Sequence, residues 1–408
     1  MPFMALQGVR VIDAATDIAG SFCAKLLADY GAEVIQVEQP GKGDPSRHQG
    51  PFPDGTPHIE KSGLFLHLNT NKKGVTLDLD NPSGQALFKR LVQDSDILIE
   101  SHRPERLASL GLGYDALKQL RPGLVTTSVT PFGQTGPHKD YEFTELTIFA
   151  MGGAMHREGH PDREPLMYGG EISQYFAGTS AATATMAACL GASLSGRGQW
   201  IDISIQECFA GHPHQAGRRA PFAYDGETEF RRMPHTPSPT ARESYAVGTF
   251  KCKDGYCSFL PLGPRMWPNF TRMIGKPELV EDPRFGTSEG RIKHSDELGA
   301  LFQTWLDSRT REEVFVAVQQ EGIPGGPVLL IDEILSDEHL KARGFFVDID
   351  HPDAGTLAYP GVPFGLSNTP QEDFKPAPRL GQHNDEVFGG MLYIGNDEMV
   401  ELRQKGVI

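Results

Sequence analysis

The sequence predicts an α/β protein whose main body is a mostly parallel, open sheet of Rossmann type. Short apolar runs alternate with helix-patterned runs through the first 133 residues, the order that builds βαβ units. The apolar runs suit strands buried on both faces. Helix punctuation is in place, with Gly31 set to close one helix and Pro82 set to open another.

In order, "GVRVIDAA" (8–15) is a strand. "AGSFCAKLLADYG" (19–31) is a helix with Phe22, Leu26 and Leu27 on one side. "AEVIQVEQP" (32–40) is a second strand. The unit repeats as strand "GVTLDL" (74–79), helix "PSGQALFKRLVQDS" (82–95) and strand "DILIES" (96–101). Helix "GYDALKQLR" (113–121) and strand "LVTTSVTPFG" (124–133) follow. The first βα turn, "DAATDIAGS", lacks G-x-G-x-x-G, so the dinucleotide fingerprint is absent. "GRGQWIDISIQECFAG" (196–211) supplies a further strand and a possible helix.

The texture changes near residue 211. The stretch 211–245 is rich in Pro, Gly and Arg and reads as a linker or ordered crossing segment. A hairpin (246–262), helices (264–275, 294–308, 310–322) and an αβ segment (328–351) make a smaller α+β middle domain. The tail 381–408 is helical and able to return to the first body. The predicted organisation is a large domain over 1–210, linker and small domain over 211–345, and a return segment over 346–408.

The chain has 408 residues and a formal charge of −15. That balance argues against nucleic acid and an anionic membrane surface as partners. A phosphate-bearing ligand would need a local basic patch. Five widely spaced cysteines, an N-terminus that runs directly into a strand, and no apolar run long enough to span a bilayer predict a cytoplasmic protein. Cys252 and Cys257 flank Lys-Asp-Gly-Tyr, which suits cross-strand cysteines on a hairpin better than zinc. His156 and His160 are spaced i, i+4, but Gly159 and Pro161 break a helix there, so no metal site is expected.

Eight stretches in order, "LQGVRVIDAA", "AKLLADYGAEVIQVEQPGKGDPSR", "LNTNKKGVTLDL", "DILIESHRPERLASLGLGYDAL", "SVTPFGQTGP", "GRGQWIDISIQE", "EGIPGGPV" and "APRLGQHNDEVF", run from residue 6 to about 388. Together they resemble the family III (CaiB/BaiF) CoA-transferases. The resemblance implies a Rossmann-like large domain built from both chain ends, a smaller middle domain, and two chains interlocked like linked rings. It also implies coenzyme A and acyl-CoA as substrates, with no permanently bound cofactor.

In that family an aspartate attacks the acyl-CoA thioester, because a carboxylate can both attack and leave. The corresponding slot lies in "EISQYFAG", three residues before the Ala-Gly pair, and holds Gln174. An amide there is either a buried polar residue serving the start of a helix or the mark of a lost nucleophile. Glu171 and Glu145 are the carboxylates near enough in sequence to be considered as substitutes. Otherwise they are a turn residue and an ordinary helix charge. The resemblance places Ala19, Leu77, Asp78, Leu79, His102 and Arg103 around the CoA nucleotide. Some members carry Arg where this chain has Gln39 and Ser109. A glycine-rich loop found near 230–245 in some members is replaced by "FRRMPHTPSPTARES". Lys72 and Lys73 could meet phosphate or be turn lysines. Arg231 and Arg232 could reach a carboxylate substrate.

A kept scaffold without its nucleophile points to one subunit of a heteromeric CoA-transferase, with the aspartate on a homologous partner. Succinyl-CoA:benzylsuccinate CoA-transferase is a two-subunit pair of this type, which makes succinyl-CoA a possible donor. The alternatives are a homodimeric transferase or thioester isomerase using another carboxylate, and a non-catalytic paralogue that binds CoA thioesters.

Overall fold

The computed structural model describes residues 4–211, 222–224, 226, 247–259, 266–369 and 374–408. The chain divides into two compact units. One comprises Met1–His156, Leu166–Glu229 and Ala342–Ile408, and the other Arg157–Pro165 and Phe230–Lys341.

The first unit is built on six parallel strands in the order β3-β2-β1-β4-β5-β6. These are β1 (Arg10–Ala14), β2 (Glu33–Glu38), β3 (Lys73–Thr76), β4 (Ile97–Glu100), β5 (Val125–Thr130) and β6 (Trp200–Ser204). The order reverses between β1 and β4, and open α/β sheets bind ligands at the carboxyl edge of such a switch point. Helices cover both faces, as parallel strands require. On one face Ile12, Ile35, Val75 and Leu98 pack with Leu87, Phe88 and Leu91 of α3 (Pro82–Gln93) and with Leu117 of α5 (Tyr114–Leu120). Met399 and Leu402 of the C-terminal helix (Asn396–Gln404) join this core. On the other face Val11, Val34, Ile97, Ile99 and Val125 pack against α1 (Ile18–Asp29) and α7 (Ile172–Ser195). The strands and long helices read from the sequence are present, each within a few residues.

Two short helices were not anticipated, α2 (Gly63–Leu68) and α4 (Arg106–Ser109), while Glu145 opens the short helix α6 (Glu145–Met151). After strand β6 comes α8 (Ile205–Ala210). The "VEQPGKGDPSR" stretch, prominent in the family resemblance, closes a loop on itself. Arg47 is fully buried, donates to both oxygens of Glu38 at 2.6 and 2.8 Å, and lies 3.6 Å over the Phe65 ring. A hairpin of β10 (Phe346–His351) and β11 (Gly355–Pro360) completes the strands of this unit.

The second unit holds a three-stranded sheet of β7 (Gly248–Cys252), β8 (Gly255–Phe259) and β9 (Gly325–Pro327). Helices Met266–Met273, Ser295–Asp307 and Arg311–Gln320 pack on it around Phe270, Phe302 and Val314. Cys252 and Cys257 lie on the β7–β8 hairpin with their sulfurs 4.0 Å apart, both as thiols. Among the described residues, no helix is long and apolar enough to cross a membrane.

Candidate active site

Two clusters of the first unit hold the residues singled out from the sequence. The first is the opening turn of α7. The helix begins at Ile172, so Gln174 lies inside its first turn. Ala177 and Gly178 are where α7 meets α1. A Cβ at Gly178 would stand 2.6 Å from the Ala19 carbonyl oxygen, so only glycine permits this approach. Gln174 is 7% exposed, and its Nε2 donates to Glu171 Oε2 at 3.0 Å. The amide thus serves a neighbouring carboxylate rather than the helix backbone.

Glu145 is no ordinary helix charge. It is buried, and its oxygens accept from the Ser173 N–H at 2.8 Å and the Ser173 hydroxyl at 2.6 Å. Burial, reinforced by the Glu171 carboxylate, raises the Glu145 pKa, while the bonds from Ser173 oppose the rise. Two carboxyls, one hydroxyl and one amide therefore converge within one helical turn. Beside them the Tyr175 ring meets Phe22 of α1 edge-on at 4.9 Å, and His67 stands 6.1 Å from Tyr175. Burial holds the His67 imidazole neutral, with its pKa lowered to about 4.

The second cluster is the carboxyl edge at the switch point. Asp17 caps α1 by accepting from the Gly20 N–H at 2.8 Å, and the Ser101 hydroxyl accepts from the Thr16 N–H. The β1 and β4 turns are thereby tied together. Leu77, Asp78 and Leu79 follow β3, and Asp78 accepts from the Asp80 N–H at 3.0 Å. The Asp78 carbonyl oxygen would lie 1.9 Å from a Cβ at Gly84, so α3 starts in direct contact with this loop. His102 and Arg103 follow β4. Ala19 is fully buried and Leu77 nearly so, which leaves Asp78, Leu79, His102 and Arg103 as the more accessible members of the predicted set. Gln39 reaches Asp78 at 3.4 Å, and the Ser109 hydroxyl turns back to the Arg106 carbonyl at 2.7 Å.

This edge is rich in carboxyls. Burial pushes Asp17 and Glu100 up to about 7 and Asp44 up to about 6. Burial also lowers His102 to about 4, and the positive Arg106 nearby adds to the effect. Next to Glu100 a cavity of about 360 Å³ is lined by Arg103, Thr126, Ser128 and Trp200. Asp17, Glu100 and Arg106 were not picked out from the sequence. For Asp17 a signal existed, an N-cap aspartate three residues ahead of Gly20.

The two lysines of "NTNKKG" are both engaged by carboxylates of the chain itself. Lys72 is buried and donates to Asp13 Oδ2 at 2.8 Å, and Lys73 pairs with Glu33 and Glu386 at the amino ends of β2 and β3. Arg231, Arg232 and the 230–245 loop lie outside the described residues. Among the described residues no three His, Cys, Asp or Glu side chains gather to hold a metal, and His156 and His160 join no such group.

Comparison with known proteins agrees with this arrangement. Residues 6–384 match the family described as CoA-transferase family III. Succinyl-CoA–D-citramalate CoA-transferase of Chloroflexus aurantiacus is 37% identical over 99% of this chain and 98% of that protein. The beta subunit of succinyl-CoA–L-malate CoA-transferase from the same organism is 33% identical over the same shares. A CaiB/BaiF family protein of Brucella suis, 27% identical, superposes with a TM-score of 0.83 over 95% of this chain and 99% of that one. A six-stranded parallel sheet with a switch point between β1 and β4, and a family match along almost the whole length, make this chain a member of CoA-transferase family III.

Proposed function

We propose that the chain is one subunit of a heteromeric CoA-transferase that takes CoA from succinyl-CoA and passes it to a small carboxylic acid, with the reacting aspartate supplied by a homologous partner chain. The observation that carries this reading is Gln174. It occupies the nucleophile slot, is buried, and spends its amide on Glu171. The similarity to a CoA-transferase beta subunit and to a succinyl-CoA-dependent relative supports the assembly and the donor. In this reading the two chains interlock, and each is completed by the other.

The partner's aspartate attacks the thioester carbonyl, forming a mixed anhydride and releasing CoA thiolate. The thiolate attacks the aspartyl carbonyl and expels succinate, leaving an aspartyl-CoA thioester. The acceptor carboxylate attacks that thioester, and thiolate returns to the acceptor's carbonyl, freeing the aspartate. An amide can take no part in this cycle, since neutral nitrogen neither attacks a thioester readily nor leaves as a carboxylate does. Co-expression with a homologous chain carrying aspartate at this slot tests the proposal. CoA exchange from succinyl-CoA is expected from the pair and not from this chain alone. Full exchange by this chain alone would refute it.

One observation favours a second reading. Glu171 accepts a bond from Gln174 on a single oxygen, while Glu145 has both oxygens engaged by Ser173. Glu171 is therefore the less engaged of the two carboxylates, with Gln174 steadying it. A covalent acyl or CoA adduct on Glu171 in the isolated chain would establish a homomeric enzyme instead.

A further inference from the structure

We propose that Arg106 is a phosphate-contacting residue of the CoA site, held on Asp80 until a nucleotide phosphate takes the carboxylate's place. The inference rests on reading the switch-point edge as the CoA site. Three separate observations converge on it.

The first is the set of ion pairs at this edge. Arg103 pairs with Glu142, Arg106 with Asp80, and Lys139 with Glu105. Asp80 is 64% exposed, so its bond to Arg106 is of the weak surface kind that a better anion displaces easily. A guanidinium binds phosphate through two parallel N–H donors, and the doubly charged ester outcompetes one solvated carboxylate.

The second is an orphan. His102 Nε2 is buried and has no hydrogen-bond partner. Its ring lies within electrostatic reach of the Arg106–Asp80 pair. Buried polar atoms without partners are uncommon and ask for a missing group. A neutral imidazole with its proton on Nε2 supplies a donor to a phosphate oxygen beside the guanidinium.

The third is backbone strain. Glu105, between these two residues, adopts φ +68°, a left-handed conformation that a non-glycine residue holds only at a cost. The turn brings Arg106 to the start of α4, next to the β3 loop that carries Asp78 and Asp80. Ser109, one turn later, is neutral and bonded to the Arg106 carbonyl, so it adds no charge. Arg106 is the cation of this helix.

Calorimetry on the full chain with CoA, dephospho-CoA and pantetheine tests the proposal. Arg106→Gln should weaken CoA binding by about tenfold or more and leave pantetheine unchanged. Asp80→Asn removes the competitor and should tighten CoA binding by roughly two- to fivefold. A loss in Arg106→Gln confined to CoA assigns the 3′-phosphate, and a loss shared with dephospho-CoA assigns the diphosphate; both support the proposal. If the wild-type chain binds CoA and neither substitution changes its affinity, Arg106 is excluded while the CoA site stands. If the wild-type chain binds no CoA, the reading of this edge fails and the proposal with it.

Discussion

At the residue scale, the chemistry turns on one amide facing two carboxyls. Gln174→Asp would set an acceptor against Glu171 where a donor now stands, so the new carboxylate should be pushed toward protonation. The substitution should cost about 1–3 kcal/mol of stability and yield no adduct with succinyl-CoA. The exchange Gln174→Asp with Glu171→Gln restores one donor and one acceptor. That double variant should regain stability in a urea titration and place a usable carboxylate at the slot. Equal losses in the single and double variants would show that the Gln174–Glu171 bond does not hold the turn.

Glu100 gives a second residue-scale expectation. Its folded pKa is raised from 4.5 to about 7, so the folded state holds a proton that the unfolded chain has released. The stability it contributes is present below pH 4.5 and is lost as pH rises through 7. Asp17 and Asp44 shift the same way and add to the fall. Glu100→Gln keeps a neutral side chain at all pH values. It should flatten the decline in urea midpoint between pH 5 and pH 8, removing on the order of 2 kcal/mol of it. An unchanged slope would show that Glu100 is ionised in the folded protein.

At the element scale, the parallel strands were legible because each is a short buried run between helix-patterned segments. The short helices α2 and α4 were not, since four to six residues carry too little periodicity to register. The first turn of α7 is not marked locally: "EISQYF" mixes β-branched and aromatic residues after two glycines, and packing against α1 overrides that local preference. Glu145 was undervalued for another reason: it meets Ser173 across 28 positions, a pairing that no local pattern encodes. At the switch-point edge the ion pairs that fill the loops after β3 and β4 are equally non-local. Gly84 joins element to site. Gly84→Ala would drive a methyl into the Asp78 carbonyl, which should cost about 1–3 kcal/mol and displace the Leu77–Leu79 loop. Retained stability and CoA affinity in that variant would mean that α3 can slide away from the loop.

At the scale of the whole molecule, a chain that interlocks with a second should not persist as a folded monomer. If the two chains interlock, folding and assembly are one event, and stability depends on protomer concentration. Sedimentation of this chain with its partner should therefore show no folded 44.7 kDa species on dilution. A stable monomer of that mass would rule out the linked arrangement. The central claim is that Gln174 leaves this chain without a nucleophile of its own. Intact-mass analysis after incubation with succinyl-CoA tests it most directly. The account predicts an unmodified mass for this chain in isolation, and in the assembled pair an acyl or CoA adduct confined to the partner. An adduct on this chain, mapped to Glu171 or Glu145, would contradict it.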